Sequence, residues 1–389
     1  MTRLLIDGRS LTYHPKGVGR YAYHLCCQLD LRLPSHWQMD ILAHSDCLPE
    51  FPDRFRGRFI SVPRVSEFRA GLAAVPKQIK KLHADILLRP GEGIGSYYGI
   101  PIITVCHDIN EWIAKVQASL GQTRGVFRAL IDKAKSFYIG RALRQSEYVL
   151  CNSEFIRQAI HEYYKVTYEK TKLAYCGVDS RFYELSGKID QEKIRGKYNV
   201  NSYILTFATG DYRENFLNLP RIIRALKEKR IKTTFIIAGI RAEQSYAKKL
   251  HRECIQLGLI EGDDFIFEGF LGENQFINLV ELYTAADFYL ELSLHEGFGM
   301  QVAEAMACGT TCISSAKGAL KEVIGEHAII LSNPVDVDDI VKTIFFAYQH
   351  KQHERNNASQ IHYTRKFSWD SVGCSTMECL LAVAKKYGL

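Results

Sequence analysis

The sequence lacks any run of about 18 consecutive apolar residues, which is the length that a helix needs to cross a bilayer. Its N-terminal segment, MTRLLIDGRS, also lacks the long hydrophobic region of a secretory signal, because Asp7 interrupts the apolar run. Low-complexity tracts and repeats of about 20 to 50 residues are absent too. These absences exclude a helical membrane protein and a solenoid, and they predict a globular chain that begins with a β-strand.

Paired cysteine spacings are missing as well. The eleven cysteines are scattered, and neither Cys26 with Cys27 nor Cys308 with Cys312 has the spacing of a zinc site or a disulfide framework. We therefore expect reduced thiols and a cytoplasmic location. The first strand is followed by GRSLTYHPKGVG and not by a Gly-x-Gly-x-x-Gly turn, which excludes a nicotinamide dehydrogenase.

The composition is that of an ordinary globular protein, with 47% hydrophobic and 24% charged residues. A length of 389 residues predicts two domains, because single cores stop growing at roughly 250 to 300 residues. The net charge of +7 is mild, so that it favours polyanionic partners only weakly, and we expect no nucleic-acid partner.

Short β-type runs alternate with helical stretches along the whole chain, which predicts an α/β fold with parallel sheets. A polar tract interrupts this alternation once and divides the chain into an N-terminal domain, a linker, a C-terminal domain and a last helix that crosses back to the first domain. These segments are residues 1–186, 187–200, 201–366 and 367–389. The predicted strands are 3–7, 38–43, 58–62, 85–88, 101–106, 147–151, 172–175, 203–208, 233–239, 264–268, 286–292, 311–315 and 327–331. Because open α/β sheets bind ligands at the carboxyl ends of their strands, we expect two Rossmann-like domains facing each other across a cleft.

The most informative stretch is SLHEGFGMQVAEAMACGTTCISS, residues 293–315. An apolar strand precedes it, and a helix begins near Met300 after a loop that contains Gly297 and Gly299. Glycines let the backbone turn sharply and approach a ligand, and the free amides at a helix start favour a phosphate. The loop and the helix together predict an anion-binding corner.

Two acidic residues belong to this corner. Glu296 lies in the loop, and Glu304 lies on the second turn of the helix. Helical geometry turns residue 304 toward the side of residues 300 and 301, so that both carboxylates can face one ligand. Glu304 stands among apolar residues, where a carboxylate needs a hydrogen-bonding partner; the alternative for a helical Glu is a solvent-facing side chain.

The stretch resembles the motif of glycosyltransferase family 4, whose members are retaining enzymes of the GT-B fold. That motif has a Glu within EGFG, seven further residues, and a second Glu within EAMA, followed by CG, and all of these elements are present here. The resemblance implies that Glu304 binds the ribose of a nucleotide and that Glu296 contacts the transferred sugar. It also implies that the residues after Glu296 line the donor site: Gly297, Phe298, Gly299, Met300 and Gln301.

Other matches to the family are spread along the chain. KGVGRY, residues 16–21, is similar to the family's glycine loop, which implies that amides near Gly17 and Gly19 face the distal phosphate of the donor and the acceptor. VCHDIN, residues 105–110, matches a strand-end histidine, which implies that His107 lies over the donor sugar. Without the resemblance, the first would be an isolated Gly-x-Gly and the second a packed polar pair.

The sequence departs from the family pattern at two places. After the first strand of the second domain the family commonly has Arg, Lys and Asn; Arg213 and Asn215 fit, but Glu214 replaces the Lys. Like charges about 4 Å apart repel by several kcal/mol at an intermediate dielectric, so either Glu214 points away and Arg213 alone carries the diphosphate, or donor affinity is weak. The second departure is Gln301, where many members have Pro; its side chain either hydrogen-bonds the sugar or has no role in the site, and the sequence leaves both alternatives open.

A metal site deserves a test because Asp336, Asp338 and Asp339 in NPVDVDDIV mimic the metal-binding Asp-x-Asp of other glycosyltransferases. These acids open an amphipathic helix, where Asp is a preferred cap and first-turn residue. We therefore predict helix capping, no metal and no other cofactor.

A basic amphipathic helix is predicted over residues 124–144, within a segment rich in Lys and Arg. Phe127, Leu130, Ile131, Ala134 and Phe137 recur there at helical spacing. The pattern fits a solvated basic face over a core-facing stripe, and it also fits docking on an anionic membrane surface.

The resemblance implies a retaining transfer of a hexose from a nucleotide diphosphate sugar to a saccharide or lipid-linked saccharide acceptor in polysaccharide biosynthesis. Arg213 would stabilise the leaving diphosphate, while His107 and Glu296 position the sugar. We favour UDP-glucose as the donor, with GDP-mannose as the alternative. Two other hypotheses compete, a nucleotide-sugar-binding scaffold of reduced activity, suggested by Glu214, and a nucleotide-sugar epimerase.

Overall fold

The computed structural model describes residues 1–12, 17–44, 46, 48–95, 98–109, 125–241, 243–269, 276–354 and 357–389. Part of the glycine loop and most of the basic segment before residue 125 therefore lie outside the described residues. The chain divides into two compact units, one of Met1–Gly177 with Phe367–Leu389 and one of Val178–Lys366.

The described residues of the first unit form a parallel sheet in the order β3-β2-β1-β4-β5-β6-β7. Its strands are β1 Thr2–Ile6, β2 Trp37–Ala43, β3 Arg58–Ser61, β4 Ile86–Arg89, β5 Ile102–Cys106, β6 Tyr148–Cys151 and β7 Thr171–Leu173. Strands β4 and β5 are apolar apart from Arg89 and Thr104 and are fully buried, as expected for parallel strands between two layers of helices. The helices are Val18–Arg32, Glu67–Arg69, the π-helical turn Ala70–Ala74, Val75–Leu82, Val126–Gln145, Glu154–Tyr164, the 3₁₀ turn Tyr168–Lys170 and Trp369–Tyr387.

The second unit repeats this architecture with a parallel sheet in the order β10-β9-β8-β11-β12-β13 among its described residues. Its strands are β8 Tyr203–Phe207, β9 Thr234–Ala238, β10 Phe265–Phe267, β11 Phe288–Glu291, β12 Thr311–Ser314 and β13 Ile329–Ile330. Its helices are Ser180–Ser186, Gln191–Lys197, Leu219–Glu228, Ser245–Gln256, Phe276–Ala285, Met300–Ala307, Leu320–Ile324, Val337–Gln349 and Ala358–Thr364, with 3₁₀ turns at Tyr212–Glu214, Phe216–Asn218 and Gln352–Glu354.

Both sheets have a topological switch point. The strand order reverses between β1 and β4 in the first unit and between β8 and β11 in the second. Loops that leave adjacent parallel strands on opposite sides open a crevice at such a point, and ligands of α/β proteins bind there. The two switch points are therefore the places to look for a site.

The boundary between the units differs from the one predicted from the sequence. It falls after Gly177, and the tract assigned to the linker belongs to the second unit. Phe182 is fully buried against the rings of Phe276 and Tyr283, at 4.7 and 6.0 Å between centroids. Arg195 donates to a carboxylate oxygen of Asp287 at 2.7 Å. Phe182 thus fixes the segment before the polar tract, and Arg195 fixes the tract itself, whose overall polarity had suggested a linker.

The last helix belongs to the first unit. Ser368 caps it by accepting a hydrogen bond from the Ser371 amide at 3.1 Å, and the ring of Trp369 stacks on His24 at 4.3 Å. Gly373 lies so close to the helix Val18–Arg32 that a Cβ there would be 2.8 Å from Cβ of Gln28. This packing ties the end of the chain to its beginning.

The prediction of a core-facing stripe on the basic helix is wrong for Leu130, Ile131, Ala134 and Phe137, which are exposed; the side chain of Phe127 lies outside the described part of the structure. Leu130 and Phe137 are 61% and 62% exposed, whereas Ile139 and Leu143 face the core. Apolar residues occur on more than one side of Val126–Gln145, and the sequence pattern selected the side that faces outward. No helix in the described ranges is both long and apolar enough to span a membrane.

The capping prediction at residues 336–339 is confirmed. Asp336 precedes the helix Val337–Gln349 and accepts a hydrogen bond from the Asp338 amide at 2.9 Å. Asp339 accepts one from the Asn333 amide at 2.8 Å. These carboxylates are engaged by the backbone that they cap.

Candidate active site

The switch point of the second unit brings together the two loops that carry most of the predicted donor residues. One loop follows β8 and contains Arg213, and the other follows β11 and contains Glu296. The Leu294 amide donates a hydrogen bond of 2.7 Å to the carbonyl of Arg213. The two segments therefore form one backbone-linked surface at the carboxyl end of the sheet.

The glycine corner of this surface is a tight backbone turn. Gly299 has φ +95°, and a Cβ there would lie 2.4 Å from Cδ2 of Leu320. Gly318, at φ +64°, comes so close to the Glu296 backbone that a Cβ would be 2.5 Å from its carbonyl oxygen. The helix Met300–Ala307 starts directly after this turn, so the turn fixes the position of its first amides, which have no partner within the helix.

The predicted donor residues around this corner differ in exposure. Glu296 is half-buried in the loop, and Met300 and Gln301 are half-buried at the helix start. Glu304 is only 1% exposed, and the hydroxyl of Tyr283 donates to its Oε2 at 3.3 Å. The hydrogen-bonding partner expected for a carboxylate in this apolar helix is therefore present. The remaining positions, Gly297, Phe298 and Gly299, are buried.

The loop after β8 is ordered by its own polar side chains. Arg213 forms a two-point ion pair with Asp211, with Nε and Nη2 at 2.9 and 2.8 Å from Oδ2. Asn215 has φ +54° and is 6% exposed; its amide nitrogen donates to the Pro334 carbonyl at 2.7 Å, and its oxygen accepts from Asn218 at 2.9 Å. These contacts make Asn215 a shaping residue of the loop.

Glu214 points into the loop, so the structure favours the first of the two alternatives for this residue. Its carboxylate accepts hydrogen bonds from the Thr209 amide, at 2.7 Å, and from the Thr209 hydroxyl. Burial is the main reason that the pKa of Glu214 is raised to about 7; the Thr209 hydrogen bonds oppose the shift, and the negative charges of Glu291 and Asp211 add to it. A carboxyl with this pKa is largely neutral below pH 7 and repels a diphosphate less than an ordinary Glu.

Glu291 also belongs to this region, although no sequence pattern described above had singled it out. It ends β11, is buried, and accepts hydrogen bonds from the Ser293 amide at 2.9 Å and the Tyr289 hydroxyl at 3.0 Å. Burial raises its pKa above the ordinary value of a Glu. An acid at the end of an apolar strand, in DFYLELS, was the available signal.

In the first unit, His107 stands at the carboxyl end of β5 with its ring fixed. Its Nε2 lies 2.6 Å from the carbonyl of Pro90, so that Nε2 carries the proton and donates it. The remaining nitrogen, Nδ1, then accepts from the Asn152 amide group at 3.5 Å, and the ring of Tyr21 packs edge-on at 4.7 Å. Residues that follow β4, β5 and β6 thus hold the His107 imidazole in the tautomer with its proton on Nε2.

The glycine loop leads into the same region. Gly17 has φ +44° and precedes the helix Val18–Arg32; a Cβ on it would touch nothing within 4 Å. Gly19 is buried in the first turn. A Cβ at Gly91 would be 2.7 Å from Val18 and 3.9 Å from Cδ2 of His107. The start of this helix and the histidine are therefore neighbours in the first unit.

Glu92 is the second residue that the sequence analysis missed. Its Oε1 accepts hydrogen bonds from the amides of His107 and Asp108, the latter at 2.8 Å. It follows β4 in the short loop RPGEG, so that a charged residue after a strand end was again the only signal. Glu92 holds the backbone of the histidine segment in place.

No cluster of three or more His, Cys, Asp or Glu suited to a metal occurs among the described residues, and the ten cysteines they include are free thiols. The predicted site residues fall into two groups, one in each unit. Arg213, Asn215, Glu296 and Glu304 lie in the second unit, and Gly17, Gly19 and His107 lie in the first. The second-unit group lies at its sheet's switch point; in the first unit Gly17 and Gly19 follow β1, which borders the switch point, and His107 follows β5, the neighbour of β4.

Comparison with known proteins assigns this arrangement to a class. A model described as Glycosyltransferase Family 4 matches residues 15–182, and one described as Glycosyl transferases group 1 matches residues 187–365. The fold is that of sucrose-phosphate synthase from Thermosynechococcus elongatus, with a TM-score of 0.76 and 16% identity over 99% of this chain and 100% of that one. The chain is therefore a two-domain glycosyltransferase of the GT-B type.

Within that class, the chain belongs to the glycosyltransferases similar to family 4. It is 22% identical over 384 residues to an uncharacterized glycosyltransferase of Methanocaldococcus jannaschii, covering 94% of this chain and 95% of that protein. It is 26% identical over 273 residues to the serotype-specific mannosyltransferase WbdA of Escherichia coli, covering 69% of this chain but 32% of that protein. The chain thus spans about a third of the length of this mannosyltransferase.

Proposed function

We propose that the protein transfers a hexose from a nucleotide diphosphate sugar to a saccharide or lipid-linked saccharide acceptor in polysaccharide biosynthesis, with retention at the anomeric carbon. The observation that carries the proposal is the switch point of the second unit, where the loop of Arg213 is hydrogen-bonded to the loop of Glu296, and the helix that starts at Met300 carries Glu304. Such a corner combines donors for a diphosphate with carboxylates for sugar hydroxyls.

The proposed chemistry needs no metal or other cofactor. Cleavage of the bond between the anomeric carbon and the diphosphate builds charge on the leaving oxygen, which Arg213 and the amides near Gly299 would stabilise. That phosphate oxygen would take the proton of the acceptor hydroxyl. Because His107 has its Nε2 proton bound to Pro90, we assign it a positioning role toward the donor sugar and not proton transfer.

Two donors remain in competition. The resemblance noted in the sequence favours UDP-glucose, whereas the 26% identity with a protein named mannosyltransferase supports a mannose donor, for which GDP-mannose is the candidate. Thermal unfolding with UDP, GDP and ADP identifies the nucleotide, because a ligand at 100 times its Kd adds about 2.7 kcal/mol of stability. Release of nucleoside diphosphate from GDP-mannose and UDP-glucose, measured with a panel of saccharide acceptors, then tests turnover.

The outcomes of that assay separate the competing functions. Acceptor-dependent release supports the transferase. Nucleotide binding without release would support the scaffold suggested by Glu214, and conversion of the sugar without acceptor would support an epimerase. Failure of all three nucleotides to raise the unfolding temperature would contradict the proposal.

We also propose that the helix Val126–Gln145 docks on the anionic surface of a membrane, at its cytoplasmic face, where a lipid-linked acceptor would lie. Leu130, Ile131 and Phe137 are 61%, 40% and 62% exposed. Basic side chains, among them Lys133 and Arg141, accompany them on the exposed surface. Apolar side chains that insert between headgroups, together with cations that attract anionic lipid, are the two requirements for such docking.

A further inference from the structure

A pocket of about 440 Å³ lies at the carboxyl ends of β1 and β4, in the first unit. Small-molecule sites commonly measure about 300 to 1,000 Å³, so this pocket is large enough for a sugar. Its walls include Gly91, Glu92 and Val18, which lie beside His107, and extend to side chains that no role above has used: Asp7, Arg9, Arg89, Gly93 and Lys135.

Arg89 is an uncompensated cation in the wall of this pocket. The residue is 2% exposed, and its Nη2 donates to the hydroxyl of Tyr98 at 2.9 Å. Its Nη1 is buried and has no hydrogen-bond partner, and no ion pair joins Arg89 to an acid of the described chain. Buried guanidinium groups are normally paired with an acid, so Nη1 points to an acceptor that a ligand supplies.

The acids around Arg89 are already engaged. Asp7 holds Arg9 through two hydrogen bonds of 2.7 and 2.9 Å, and Glu67 lies 3.5 Å from the same guanidinium. Glu92 accepts the amides of the histidine segment. None of these carboxylates neutralises Arg89, although they line the same pocket.

A second cation without a partner faces the pocket from another element. Lys135 lies one helical turn before Ile139 on Val126–Gln145, and both residues line the pocket. Lys135 is half-buried, and no hydrogen bond or ion pair joins it to the described residues. Lys135 and Phe137 lie on different sides of the helix, because a separation of two residues corresponds to roughly half a turn.

A glycine packs closely against the Arg89 side chain in this wall. A Cβ at Gly93 would lie 3.3 Å from Cδ, 3.4 Å from Nε and 3.6 Å from Cζ of Arg89. An alanine at this position would therefore crowd the arginine side chain and shift its guanidinium.

We propose that this pocket binds an anionic group of the acceptor sugar, a carboxylate or a phosphate, through Arg89 and Lys135. The proposal rests on the proposed function, because it identifies the acceptor as an acidic or phosphorylated saccharide. A neutral sugar would leave both cations uncompensated, whereas one anion satisfies them together with the free Nη1. Lys135 and Arg89 are binding residues in this account.

The test is calorimetric titration of the full chain at low salt with methyl glucuronide, glucose 6-phosphate, methyl glucoside and inorganic phosphate. We expect at least one of the two charged sugars to bind roughly tenfold more tightly than methyl glucoside, and the one that binds identifies carboxylate or phosphate as the recognised group. Binding of inorganic phosphate as tightly as the sugar phosphate would overturn the proposal, because the ring would then contribute nothing.

Three variants assign the binding to this pocket. Lys135→Gln should weaken the charged sugar severalfold, and Gly93→Ala should weaken it by crowding Arg89; Lys80→Gln, an exposed lysine of the same unit outside the pocket, should leave it unchanged. Arg213→Gln, in the second unit, should also leave it unchanged. Arg89→Gln serves as a further variant if circular dichroism shows that it folds.

The outcomes distinguish this inference from the function on which it rests. Loss of charged-sugar binding in Arg213→Gln but not in Lys135→Gln would place the anion in the second unit and overturn the inference. Equal affinity for charged and neutral sugars would overturn it too, even where UDP or GDP still raises the unfolding temperature. Absence of nucleotide binding, in contrast, would count against the proposed function and not against the pocket.

Discussion

At the scale of single residues, Glu214 is the most informative position because a carboxylate occurs where related proteins commonly have a lysine. Its hydrogen bonds to Thr209 close the loop after β8, and burial beside Glu291 raises its pKa to about 7. Glu214 therefore puts a neutral or a negative group, depending on pH, where a lysine would put a positive charge. The stability of the fold and the affinity for the donor should both change with pH as a result.

The first prediction concerns the pH dependence of stability. A carboxyl whose pKa rises on folding stabilises the fold below its unfolded pKa, near 4.5, and this contribution is lost as the pH rises through about 7. Glu214→Gln cannot ionise and therefore escapes this loss. The difference in free energy of unfolding, variant minus wild type, should increase between pH 5 and 8 by up to about 3 kcal/mol. Urea denaturation across this range measures the difference.

The control for that prediction is Glu184→Gln, which removes an exposed acid from the same unit. Its free energy of unfolding should differ from that of the wild type by the same amount at every pH. A Glu214→Gln profile that also runs parallel would mean that the carboxyl titrates normally and that its burial has no energetic effect.

Ionisation of Glu214 should also change the affinity for the donor nucleotide. Ionisation of Glu214 adds a negative charge to the loop of Arg213, so the Kd of the preferred nucleoside diphosphate should increase as the pH rises from 6 to 8. Glu214→Gln should flatten this dependence, and Glu214→Lys should tighten binding at pH 8. Identical slopes for wild type and Glu214→Gln would show that Glu214 does not sense the phosphates.

At the scale of elements, the turn before Met300–Ala307 decides where the first amides of that helix point. Gly299→Ala places a side chain at φ +95° and 2.4 Å from Leu320, which should cost about 1 to 3 kcal/mol and weaken nucleotide binding. Gly196→Ala, in the helix Gln191–Lys197 with open space around it, should be neutral or stabilise by up to about 1 kcal/mol. Thermal unfolding compares both; a tolerated Gly299→Ala would mean that the turn is not required.

The exposed apolar side of Val126–Gln145 gives another prediction at this scale. Leu130→Ser combined with Phe137→Ser should reduce co-sedimentation with vesicles that contain anionic phosphatidylglycerol, because two inserting side chains are lost. Leu381→Ser, which changes a half-exposed leucine on the last helix, should bind as the wild type does. Equal sedimentation of the wild type with anionic and neutral vesicles would contradict membrane docking.

The elements themselves were largely predictable from the sequence, and the reasons are physical. Buried parallel strands are short apolar runs such as FYLE of β11, and each predicted strand overlaps an observed one. The observed division differs from the predicted boundary because a polar tract can fold into a domain once a few of its side chains, such as Ile194 and Arg195, are buried or paired there. Periodicity alone also could not tell which side of Val126–Gln145 faces the core.

The candidate site was predictable only in part. Glu296, Glu304 and His107 came from motif resemblance, and their surroundings required coordinates. Partners such as Tyr283 for Glu304, or Pro90 for His107, come from distant segments whose proximity depends on strand order. The unpaired Nη1 of Arg89 could not be inferred at all, because it depends on which neighbouring acids are already taken.

At the scale of the whole molecule, two units of similar architecture each place functional candidates at a topological switch point. The second unit holds Arg213, Glu296 and Glu304, and the first holds Gly17, Gly19, His107 and the pocket lined by Arg89 and Lys135. Under the two proposals, a free nucleotide binds in the second unit and a charged acceptor sugar in the first. Glu304→Gln should therefore weaken only the nucleotide and Lys135→Gln only the charged sugar when binding is measured for each ligand alone.

The central claim is that the switch point of the second unit binds the nucleotide of the donor through Glu304. Its most direct test is equilibrium binding of UDP and GDP to the intact protein and to Glu304→Gln, with Tyr283→Phe as the control. Tyr283→Phe removes one hydrogen bond to Glu304 and keeps its carboxylate, and it should cost about 1 kcal/mol of stability. We predict that one nucleotide binds the wild type and Tyr283→Phe, and that Glu304→Gln weakens it about tenfold or more. Unchanged binding to a folded Glu304→Gln would contradict the account.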